Sequence, residues 1–160
     1  MRALPKRKSV ALARKVFLSG TCASITSAIA LAVGSRVEEG SAAGGLNGPS
    51  QWLWGEAEAY TRRATVRHTA IGYAIHHITS VFWAAVLEAA VGSNKRKNVT
   101  QHCVEAAGCA AVAYVVDYHV TPRRFRPGFK KHMGPRSIFA VYSAFAAGLA
   151  IAAIMRDSRS

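Results

Sequence analysis

Residues 137–155 read SIFAVYSAFAAGLAIAAIM, nineteen residues without a charge. As a helix rising about 1.5 Å per residue, such a run reaches across roughly 30 Å of hydrocarbon. A helix on a soluble domain is apolar along one stripe only, so a helix apolar all round belongs in a core or in a membrane. Three further runs of similar character occupy residues 16–34, 69–91 and 100–120. Four of them in 160 residues leave little chain from which a soluble shell could be built. The alternation of period two that a transmembrane barrel needs is missing. The pattern predicts an all-α integral membrane bundle of four transmembrane helices with up-down topology. Residues 16–155 form the membrane domain between a basic tail, 1–15, and a short tail, 156–160.

The remaining composition agrees. Hydrophobic residues make up 51% of the chain and charged residues 18%, against about 25% charged in an average soluble domain. Mean hydropathy is only +0.12 because basic flanks average against the spans. A net charge of +13 makes nucleic acid the first partner to weigh. No helix-turn-helix, RNP or zinc-finger pattern occurs, and the Lys and Arg residues flank apolar runs, so nucleic acid is not expected. Anionic lipid headgroups are. Cys22, Cys103 and Cys109 lie within apolar runs without CxxC spacing and read as packing residues. Residues 1–15 resemble the start of a signal or transit peptide, but the run that follows exceeds the usual hydrophobic region of about 7–15 residues, which favours a retained helix. Its Ser and Thr residues make it the least apolar of the spans.

The connections differ in kind. Residues 40–50, GSAAGGLNGPS, have the composition of a flexible linker. Residues 51–67 mix Trp52, Trp54 and Tyr60 with Glu and Arg, the signature of a short interfacial helix at headgroup level. Residues 92–98 form a tight basic turn. Residues 121–136 carry six Lys/Arg and three Pro, a loop stiffened by proline whose Arg123, Arg124, Arg126, Lys130 and Lys131 contact lipid phosphate or another anion. Asp117, six residues before Arg123, is expected to lock onto this arginine cluster. Lys and Arg divide 11 against 10 between the two sides of a four-span topology. The first helix usually dominates, which places both termini in the cytoplasm. Small residues recur at every fourth position, Gly20-Ser24-Ala28-Ala32 and Ala140-Ala144-Gly148-Ala152, marking close helix contacts within the fold or in a homo-oligomer.

Ionisable groups inside the spans are costly. His77 and Glu88 lie eleven positions apart, about 20° after whole turns, and share a face with Tyr73, Ser80 and Ala84. That face predicts a polar stripe directed into the bundle. Antiparallel packing sets His76 and His77 level with Asp117 and His119, and Glu88 level with His102 and Glu105. One reading is satisfied structural polarity, with Asp117 bonded to His76 or an arginine and Glu88 to Lys95 or Arg96. A second is a small transporter or proton-coupled carrier using His77, Ser80 and Glu88. A third is a metal or haem site built from His76, His77, Asp117 and His119, although HExxH and paired Glu-x-x-His motifs are missing. No cofactor is firmly indicated. No GxSxG, P-loop or GxGxxG motif occurs, so no catalytic residue is assigned.

The stretches HHITSVFWAAVLE, residues 76–88, and VVDYHVTPRRFRPGF, residues 115–129, resemble small uncharacterised bacterial inner-membrane proteins. The resemblance covers residues 68–155. It implies four spans and an inner-membrane address, and brings no activity with it. It directs attention to His77, Trp83, Glu88, Asp117, Tyr118, Pro122, Arg123, Arg124, Pro127 and Gly128.

Overall fold

The structure, a computed structural model, describes residues 6–92 and 97–158. Lys95 and Arg96, the expected partners of Glu88, lie outside the described residues. Four long helices dominate: α1 (Lys6–Glu39), α2 (Ile71–Val91), α3 (Val99–Val115) and α4 (Pro135–Asp157). A π-helical turn (Val66–Ala70) leads into α2, and another (Val116–Val120) extends α3. All four helices are long and apolar enough to cross a membrane. Among the described residues there is no strand.

Local sequence explains the helix ends. Thr65 caps the turn before α2 by accepting from the His68 N–H at 3.1 Å. Asn98 and Gln101 form a reciprocal capping box at the start of α3. Pro122 prevents α3 from continuing, and Pro135 opens α4 at a position where its missing N–H costs nothing.

α1 lies between α2 and α4, α4 lies between α1 and α3, and the α2–α3 seam is the loosest. The small-residue stripes make the tight contacts inside the fold. Gly148 sits on the Ala23 backbone of α1, Gly20 faces Val81 of α2, and the Thr26 hydroxyl donates to the Ala144 carbonyl at 2.7 Å. α1 ranks second only to α4 in apolarity, not last as its Ser and Thr suggested. Ser19, Ser24, Ser27 and Ser35 are buried, so its hydroxyls turn inward. The outward faces carry Phe17, Ile29, Ile78, Phe82, Val104 and Phe139. Exposed apolar residues on every span are what lipid requires and water does not tolerate. With this fold, the chain is a multi-pass membrane protein.

The long first connection is not a flexible linker. Residues 44–50 are packed into successive tight turns, Gly44–Asn47 and Gly48–Ser50, and all but Leu46 are buried. The glycines serve close approach: a Cβ on Gly48 would lie 2.7 Å from the Pro127 carbonyl oxygen, and one on Gly72 2.1 Å from that of Leu46. The interfacial element expected over residues 51–67 is a one-turn helix (Gln51–Trp54) followed by a 3-10 turn (Glu58–Tyr60). Together with residues 121–134 these turns build a folded cap over one end of the bundle.

Candidate functional site

Side chains inside the bundle sort into three layers along its axis. Beneath the cap lies a cavity of about 50 Å³. Its polar lining includes Ser27, His76, Thr79, Ser80, Asp117 and Tyr142. Trp52, Trp83, Phe129 and Phe145 complete much of the wall. Ser27 donates to the Ala23 carbonyl at 2.6 Å, so its 2.9 Å contact with His76 has Nε2–H of the ring as donor. Ser80 donates to the His76 carbonyl at 2.7 Å, and the Tyr142 hydroxyl to Asp117 Oδ2 at 2.5 Å.

The middle layer is apolar: Ala23, Ala84, Ala106, Ala110, Leu149 and Ala150, with Trp83 and Phe145 at its border with the cavity. The third layer holds two ion pairs and a histidine–carboxylate contact. Glu88 meets Arg156 at 2.8 Å, Glu105 meets Lys97 at 2.6 Å, and His102 meets Asp157 at 3.0 Å.

The cap is stitched by polar side chains. Glu39, buried at the end of α1, accepts from Ser35 at 2.9 Å and pairs with Arg62 at 2.9 Å and His132 at 2.6 Å. The other nitrogen of His132 lies 2.5 Å from the Ala59 carbonyl oxygen, so the ring binds two acceptors at once. Asn47 donates to the carbonyls of Thr61 and Arg63 and accepts from the Thr69 hydroxyl. Gln51 donates to the Arg126 carbonyl at 2.5 Å and accepts from Lys131 at 3.0 Å. Lys131 also lies over the Tyr60 ring. Partial burial lowers the pKa of its ammonium and Glu56 opposes that shift.

The expected depth pairing holds for part of each cluster. His76 and Asp117 line one cavity, and Glu88, His102 and Glu105 line another small one at the opposite end. His77 and His119 do not join the first cluster. The buried face of α2 is Gly72, His76, Ser80, Trp83 and Ala84. His77 lies beside it against the rings of Phe17 and Tyr73, each 6.1 Å away. The stripe His77-Ser80-Glu88 is therefore divided, because α2 leans on α1 more than on α3. The π turn of α3 widens the helix and brings both Asp117 and Tyr118 toward the interior, leaving His119 exposed. Among the described residues no three His, Cys, Asp or Glu side chains converge as metal ligands, so His76, His77, Asp117 and His119 do not assemble the set considered from sequence.

One expected partnership is replaced. Asp117 bonds Tyr142 and makes no ion pair with Arg123, Arg124 or Arg126. Arg126 instead donates to the Thr121 carbonyl at 3.1 Å, while Arg123 and Arg124 are exposed on the cap. Lys130 is exposed above the Tyr118 ring, 4.1 Å from its centroid. Ser27, Tyr142, Phe129 and Arg156 escaped the sequence reading, and Trp52, read there as interfacial, borders the cavity. Arg156 had a signal available: it ends the fourth span, which in an up-down bundle runs parallel to the second, so that end lies level with Glu88.

These features define an α-helical membrane protein with four spans, a polar cavity under a folded cap, and an ion-paired layer at the other face. Comparison with known proteins finds no matching family model, no matching curated sequence and no matching solved structure.

Proposed function

We propose that this chain has a structural or accessory role in its membrane, rather than carrying a solute or catalysing a reaction. One observation supports this reading most: each carboxylate on the four helices is engaged by a donor from another element or loop. Glu38 accepts from the Gly134 N–H at 2.6 Å, Glu39 is held by His132 and Arg62, and Asp117 by Tyr142. Glu88 and Glu105 are in the ion pairs described above, and Asp157 is bonded to His102. Polar groups used in this way fasten helices together where lipid supplies no hydrophobic drive for association. The apolar middle layer between the two polar layers also argues against a carrier.

The membrane is a bacterial inner membrane and both termini face the cytoplasm. The cap then faces outward, with Arg123, Arg124, Arg126, Lys130 and Lys131 beside Trp54, Tyr60 and Phe125 at the level of anionic headgroups. The resemblance of residues 76–88 and 115–129 to inner-membrane proteins supports the address. The six Lys and Arg residues among the first fifteen support the orientation.

Proteoliposomes test the role. Vesicles holding the full chain should dissipate an imposed pH gradient no faster than protein-free vesicles, and those holding Glu88→Gln should match them. Leakage above the protein-free rate that Glu88→Gln abolishes would establish the carrier reading instead.

A further inference from the structure

We propose that the cavity beneath the cap binds a small organic ammonium ion. Its lining is unusual for this chain. The protein carries a net charge of +13, yet no Lys or Arg lines this cavity among the described residues. Asp117 does. Its Oδ2 accepts from Tyr142, a neutral phenol, and its Oδ1 accepts no protein hydrogen bond among the described residues. By contrast, Glu39, Glu88 and Glu105 each face a lysine or arginine. A carboxylate has about four lone-pair sites, so Asp117 retains capacity for a charged donor.

The remaining wall supplies what an ammonium ion needs once it leaves water. The aromatic residues Trp52, Trp83, Phe129, Tyr142 and Phe145 line the same space. Aromatic faces attract cations through their quadrupoles, and cages of such rings recognise methylated ammonium groups. A bare metal ion fits poorly, because no second carboxylate or cluster of histidines converges on Asp117. An anion would meet Asp117 with no compensating cation. The volume of about 50 Å³, at roughly 10–15 Å³ for one water-sized sphere, accommodates about three to five non-hydrogen atoms. Trimethylammonium is of that size.

The test uses the full chain in mild detergent. Trp52 and Trp83 are two of its three tryptophans and both border the cavity, so intrinsic fluorescence reports occupancy. Trimethylammonium chloride, titrated at constant ionic strength against sodium chloride, should give a saturable change that calorimetry reproduces. tert-Butanol, similar in size and uncharged, should give none. Asp117→Asn keeps an oxygen for the Tyr142 hydroxyl and should weaken trimethylammonium binding by about tenfold or more. Glu88→Gln, at the far end of the bundle, should leave it unchanged. The proposal fails if trimethylammonium gives no saturable signal, if tert-butanol binds equally well, or if folded Asp117→Asn binds like the wild type. The first two outcomes need no variant, so a folding defect in Asp117→Asn cannot protect the idea.

Discussion

Gly148 has no room for a side chain. A Cβ there would lie 2.5 Å from the Ala23 Cα and 2.4 Å from the Thr26 hydroxyl oxygen. The Ala23 contact is backbone and cannot turn aside, so α4 would have to move away from α1. Gly148→Ala should therefore cost about 1–3 kcal/mol, the usual range for overpacking. Gly108, inside α3, has no atom within 4 Å of the corresponding position. Gly108→Ala should be neutral or stabilising by about 0.5–1 kcal/mol, because alanine restricts the unfolded chain and suits a helix. Thermal midpoints of both variants in one detergent check the contrast. Equal losses would mean that the α1–α4 contact is not the close one described.

At the scale of elements, the cap is the part that sequence composition concealed. Glycine, serine and alanine at residues 40–50 look like a linker because the same residues suit both freedom and close packing. Only the neighbours decide between them. Here Gly48 meets the backbone of Pro127 and Gly128, Gly72 meets Leu46, and Asn47 ties down residues 61 and 63. Gly72→Ala would press a methyl group against the Leu46 carbonyl and lift the cap from α2. Arg62 and Arg63 are exposed, so trypsin is a suitable probe. Cleavage there should accelerate on the order of tenfold over wild type if the change makes local opening cheaper by ~1.4 kcal/mol. An unchanged rate would mean that the cap is held elsewhere. The π turn ending α3 was equally hidden, since no residue type demands it, and it is what places Asp117 and Tyr118 together on the inner side.

For the whole molecule, four spans were legible because membrane helices must be apolar over a fixed length, and the sequence meets that demand four times. Depth was legible too. Antiparallel packing sufficed to place His76 with Asp117 and Glu88 with His102 and Glu105. Azimuth was not, because a periodicity argument cannot say which neighbour a helix leans on. His76 rather than His77 faces the cavity for that reason. Partners contributed by α1 and α4, Ser27, Tyr142 and Arg156, depended on the same unknown. The central claim is a four-span bundle with its cap on one face of the membrane and its termini on the other. In intact cells, with Cys22, Cys103 and Cys109 replaced by Ala, Tyr60→Cys and Ser158→Cys can each be labelled with a membrane-impermeant maleimide. Both positions are exposed, one on the cap and one after α4. The account predicts labelling of Tyr60→Cys from outside and of Ser158→Cys only after permeabilisation. Labelling of both from the same side would contradict it.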